Sequence, residues 1–153
     1  MKDFKTFINE NLLVPRNLED RKEKLKQMNI RLLSQEVING DLHLDESFMG
    51  IDAKFLKLKK VNGTIWLNEG QWTEIPAWLK DVEIGGFFNC SYNKLTTLKN
   101  CPQKIGGSFI CSFNRLVSLQ GCPENIGGDF WCHGNKTKLE LPDYVKLKGK
   151  FEN

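Results

Sequence analysis

Apolar residues along most of the chain keep a fixed distance from a recurring glycine. Gly40, Gly63, Gly86, Gly107, Gly128 and Gly149 are spaced 23, 23, 21, 21 and 21 residues apart. Two positions before each lies an aliphatic residue: Ile38, Val61, Ile84, Ile105, Ile126 and Leu147. Two positions after each lies another large apolar residue: Leu42, Ile65, Phe88, Phe109, Phe130 and Phe151. Such alternation predicts, in every repeat, a strand with one buried face. Six coils therefore fill residues 38–153, the last one truncated by the chain end.

The central repeats read GGFFNCSYNKLTTLKNCPQKI from Gly85 and GGSFICSFNRLVSLQGCPENI from Gly106, with a third start, GGDFWCHGN, at Gly127. Their x-L-x-x-N-x-L pattern, with Phe and Cys in the first two apolar slots, resembles the leucine-rich repeat consensus. More narrowly, GGxFxCSxNxLxxLxxCPxxI looks like the atypical leucine-rich repeats of small phage-encoded proteins. That resemblance implies a solenoid built on a parallel β-sheet. Ser47 and Gly70 replace the asparagine in the first two coils, and Thr137 stands where the last strong copy expects leucine.

Repeat physics points the same way. A single coil of this length cannot bury a hydrophobic face, whereas stacked coils share one core. Val61, Ile65, Leu67, Trp72 and Ile75 fill the same inward slots as Ile84, Phe88, Cys90, Leu95 and Leu98. The return segments are too short for a full helix and should be extended or 3₁₀, with Pro102 and Pro123 fixing the bend. Asn93, Asn114 and Asn135 are expected to stack at the strand-to-return corner and satisfy backbone groups there.

The first 37 residues are different in kind and read as a helical N-terminal cap. Phe4, Phe7, Ile8 and Leu12 recur at helical spacing before Pro15 interrupts. Asn17 can cap a second helix, with Leu18, Leu25, Met28 and Leu32 on one face. A helical cap followed by short repeats also resembles the bacterial effector ubiquitin ligases of the leucine-rich-repeat class, whose catalytic domain has no counterpart here. The fold class is thus an α+β repeat: a leucine-rich-repeat-like solenoid with a parallel β-sheet and an N-terminal helical cap, forming one folded unit.

Composition changes this picture little. The chain is 40% hydrophobic and 27% charged, with a formal charge of +3 that does not by itself identify a nucleic-acid binder. The start MKDFKTFINENLL mixes acids with apolar residues, so neither a signal peptide nor a membrane span is expected, and the setting expected is cytoplasmic. Five cysteines are an odd number and should be reduced thiols.

Catalysis and cofactors are not expected. Cys90, Cys111 and Cys132 share one inward slot, while Cys101 and Cys122 share another on the return side. With no CxxC spacing they read as small buried apolar residues, with no metal site. His43 and His133 lie four coils apart, on the order of 19 Å at the parallel-strand spacing, too far to form a dyad. The glycine pairs lack the lysine and the helix of a phosphate loop.

Interaction chemistry remains. Parity places His43, Trp66, Asn89, Ile110 and Trp131 in one outward row, flanked by Phe87, Asp129 and His133, on what should be the concave sheet face. Aromatic anchors ringed by polar residues suit a protein partner. The function expected is a protein–protein interaction module, monomeric or weakly oligomeric. The phage-like resemblance implies a bacterial host protein as partner and a host-takeover or counter-defence inhibitor as role. One alternative is a nucleic-acid-binding regulator using the basic run KFLKLKK at 54–60 with Arg21, Lys22, Lys24 and Lys26. The other is a structural or self-assembling module.

Overall fold

The computed structural model describes residues 17–67 and 70–153. Among the described residues one α-helix, α1 (Leu18–Leu33), precedes twelve two-residue strands. The first member of each pair is β1 (Val37–Ile38), β3 (Lys60–Val61), β5 (Glu83–Ile84), β7 (Lys104–Ile105), β9 (Asn125–Ile126) and β11 (Lys146–Leu147). The second is β2 (Leu42–His43), β4 (Ile65–Trp66), β6 (Phe88–Asn89), β8 (Phe109–Ile110), β10 (Phe130–Trp131) and β12 (Phe151–Glu152). The odd-numbered strands form one six-stranded parallel sheet and the even-numbered strands a second. The molecule is a parallel β-solenoid with an N-terminal helix.

The single strand per repeat expected from the alternation is therefore split in two, and the expected single sheet becomes two. The recurring glycine of each repeat lies at the split. A Cβ on Gly63 would come within 2.4 Å of the Gly40 carbonyl oxygen, and one on Gly149 within 2.5 Å of the Gly128 oxygen. Backbone from successive coils closes to a distance no side chain allows, and there the chain turns from one sheet into the next. Close approach, not positive φ, explains the glycine: only Gly40 of this set has a left-handed φ.

The core is a stack of identical slots. Phe88, Phe109 and Phe130 are fully buried. Ring centroids lie 5.9 Å apart for Phe88–Phe109 and 4.9 Å for Phe109–Phe130. Trp72 fills its inward slot, and all five cysteines are buried free thiols. The asparagine column forms as expected: Asn93 and Asn114 are buried and donate to carbonyls of their own coil and the preceding one. Their Oδ1 atoms accept from the amides of Trp72 and Leu95 in the preceding coil.

Return segments divide by repeat length. The coils starting at Gly40 and Gly63 carry 3₁₀ turns at Glu46–Phe48, Ala53–Phe55 and Ala77–Asp81; the shorter coils that follow have none. The two additional residues supply the slack that a 3₁₀ turn takes up.

The first helix expected, at Phe4–Leu12, lies outside the described residues. The second exists as α1, and the Asn17 side chain accepts from the Asp20 amide at 2.9 Å. Its expected face shares only Leu32 with the residues that pack on the core. Leu33 is the buried residue, with Ile30 and Leu32 packed against the core, while Leu18 is exposed. The Leu33 carbonyl accepts the amides of Lys57 and Leu58, and Asn29 donates to Ser47 at 2.7 Å.

Candidate functional site

The even-numbered sheet presents the outward row as one contiguous set. Strand register pairs His43 with Trp66, Trp66 with Asn89, Asn89 with Ile110, and Ile110 with Trp131. His43 and Trp66 stack at 5.9 Å with nearly parallel planes. Trp131 is 36% exposed, and Trp66, Asn89 and Ile110 are half-buried. Two of the polar members are already engaged: Asn89 Oδ1 accepts from the Ser91 amide at 3.0 Å, and His133 Nδ1 lies 3.3 Å from the Ser112 hydroxyl.

The row beside it, two residues earlier in each coil, carries a structural pattern. Asp41 accepts the amide of Thr64 at 2.7 Å, and the Thr64 hydroxyl accepts the amide of Phe87 at 3.2 Å. Ser108 accepts the amide of Asp129 at 2.9 Å, and Asp129 that of Lys150 at 2.8 Å. Each side chain of this row satisfies the same main-chain amide one coil on. Phe87 alone cannot, and among the described residues no acceptor meets the Ser108 amide. In its place Phe87 holds out a ring that is 46% exposed. Asp129, expected to touch a partner, also belongs to this ladder.

Sequence reasoning missed a second set of residues at the far edge of the face. Tyr92, Phe113 and Gly134 occupy one repeat position, and all three have left-handed backbones, with φ of 56°, 53° and 71°. Bulky side chains are rare outliers in this region. Tyr92 is nevertheless 57% exposed and Phe113 42%. Their rings stack at 4.6 Å, and His133 meets Phe113 edge-on at 5.1 Å. Gly134, the residue such a backbone favours, signals the conformation of the whole column once the repeats are aligned.

The basic run is largely neutralised. Lys54 pairs with Asp52, Lys59 with Glu36 and Lys60 with Glu83. The lysines hold all three carboxyl groups below their usual pKa range: Glu36 and Glu83 chiefly through side-chain hydrogen bonds from Lys59 and Lys60, Asp52 chiefly through the Lys54 backbone amide. On α1, Lys22 pairs with Glu19 and Lys24 with Asp20.

Burial raises the cysteine thiols, with Cys122 pushed up to about 11 and Cys132 to about 12. Thiols kept protonated are poor nucleophiles and poor metal ligands. His43 lies on β2 and His133 follows β10, four strands away in the order β2-β4-β6-β8-β10-β12. Among the described residues no group of three His, Cys, Asp or Glu side chains converges on a metal-sized site, and no helix is long and apolar enough to cross a membrane.

In comparisons with known proteins, no family model, no curated protein and no solved structure matches the chain.

Proposed function

We propose that the protein is a non-catalytic interaction module whose outer even-numbered sheet face binds another protein. The observation that carries this reading is Phe87. At a position where other coils supply a hydrogen-bond acceptor to the next amide, the chain carries an exposed phenyl ring instead. A departure from the structural pattern toward exposed apolar surface is expected where a partner covers the ring. Ile110, Trp131 and Trp66 extend the apolar centre across neighbouring strands, and aromatic anchors in such patches dominate binding energy.

The repeat GGxFxCSxNxLxxLxxCPxxI supports a leucine-rich-repeat-like identity of the phage-encoded kind. On that reading the partner is a bacterial host protein in the host cytoplasm, and the role is inhibition or redirection of that protein. The test is affinity capture from bacterial lysate with the wild type, with Phe87→Ala/Trp131→Ala, and with a control variant changed on the odd-numbered sheet, such as Lys104→Ala. A specific partner should be retained by the wild type and the control and lost by the double variant. Equal capture by all three would place binding elsewhere.

A further inference from the structure

The corner beside the proposed face is strongly polarised in charge. The corner and return segments of the three central coils are 90–100, 111–121 and 132–142. They contain Lys94, Lys99, Arg115, Lys136 and Lys138 against a single acidic residue, Glu140, although the whole chain has a net charge of only +3. Lys94, Arg115 and Lys136 immediately follow the buried asparagine column, so they repeat once per coil, about 4.8 Å apart at the parallel-strand spacing. All three are exposed, and none is within ion-pair distance of a carboxylate among the described residues. The lysines of the 54–60 run, in contrast, are mostly paired.

Alongside these cations run the left-handed aromatics. Tyr92 and Phe113 stack nearly face to face, with an interplanar angle of 13°. Rings stacked on each other along the solenoid close their inner faces and turn their edges to a molecule approaching from the side. Ring edges carry the positive part of the aromatic quadrupole, so they add to the field of the cations. Single-stranded nucleic acid is recognised by stacking bases on open aromatic faces, and mutual stacking closes one face of each of these rings. Carboxylates, in contrast, are attracted by both the cations and the edges.

We propose that this corner strip, built on Tyr92, Lys94, Phe113, Arg115 and Lys136, binds an acidic segment of a partner protein. The segment lies along the solenoid axis across the three central coils. The inference rests on the reading that the neighbouring sheet face binds a protein, and it adds the chemistry by which that protein is selected. Facing groups of opposite charge raise the rate and specificity of association.

The test is a titration of the full-length, isotope-labelled protein with a poly-L-glutamate peptide, followed by amide chemical shifts, and in parallel with oligothymidylate. Poly-L-glutamate should shift the amides of 92–94, 113–115 and 133–136. Its affinity should fall at least ~10-fold in Lys94→Glu/Arg115→Glu/Lys136→Glu and as salt is raised. Lys104→Glu/Lys146→Glu, on the odd-numbered sheet, should bind like the wild type. Shifts confined to α1 or to the odd-numbered sheet would overturn the assignment. So would tighter binding of oligothymidylate through the same residues, which would make the strip a nucleic-acid site. Loss of lysate capture in Phe87→Ala/Trp131→Ala with poly-L-glutamate binding intact separates the sheet face from the strip. No poly-L-glutamate binding by the wild type, with lysate capture still lost in Phe87→Ala/Trp131→Ala, would overturn the strip alone.

Discussion

Replacing Phe87 with threonine should move stability and binding in different ways. Threonine at this position reproduces Thr64 one coil earlier, whose hydroxyl accepts the Phe87 amide at 3.2 Å. In the variant the new hydroxyl can accept the Ser108 amide, a bond worth about 0.5–1.5 kcal/mol net. Against this stands the buried part of the phenyl ring. With 46% of Phe87 exposed, roughly half of the 1.5–3 kcal/mol for a fully buried side chain is lost, about 1 kcal/mol. The two contributions nearly cancel, so the urea midpoint of Phe87→Thr should stay within about 1 kcal/mol of wild type. Phe87→Ala loses the ring without gaining the bond and should be about 1 kcal/mol less stable than Phe87→Thr. Both should weaken partner binding at least ~10-fold, as expected for an aromatic anchor. Equilibrium unfolding of the three proteins and titration with the captured partner measure these quantities. A Phe87→Thr variant destabilised by more than ~2 kcal/mol would show that the ring is a structural element, and the argument from the broken ladder would fail.

Three further outcomes follow from the core and corners. Trp72→Ala should destabilise by about 3–5 kcal/mol because Trp72 fills a buried slot, whereas the partly exposed Trp131→Ala should cost no more than about 1 kcal/mol by urea unfolding. Gly106→Ala places a Cβ 2.3 Å from the Gly85 carbonyl oxygen, backbone against backbone, and should cost at least ~1–3 kcal/mol or abolish cooperative unfolding. The raised thiol pKa values predict alkaline sensitivity. Unfolded cysteines ionise from their ordinary value near 9 upward, while folded Cys122 stays protonated to about 11. The contribution is thus full below the unfolded value and is lost as pH rises through this window, at up to about 1.4 kcal/mol per pH unit per thiol. Urea midpoints at pH 7 and pH 10 check the sign, and a Cys122→Ala variant should show a shallower fall.

The sequence by itself determined the register of the repeats and the identity of the inward slots. Ile84, Phe88, Cys90, Leu95 and Leu98 were legible because burial in a stacked coil imposes the same residue class at the same position each time. The asparagine column and the Asn17 cap were legible for a related reason: each needs one residue type at one local position. The outward row of His43, Trp66, Asn89, Ile110 and Trp131 followed from strand parity. What only the tertiary structure decided are relations between coils. The split into two sheets depends on backbone from one coil touching backbone from the next at the glycines. The ladder that Phe87 interrupts runs between residues 21 or 23 positions apart, as do the Lys59–Glu36 and Lys60–Glu83 pairs that neutralise the basic run. Tyr92 and Phe113 illustrate the limit most clearly. Their left-handed backbones and mutual stacking arise where stacked turns share one geometry, and a local reading that weighs each residue against its own neighbours assigns an aromatic there no positive φ.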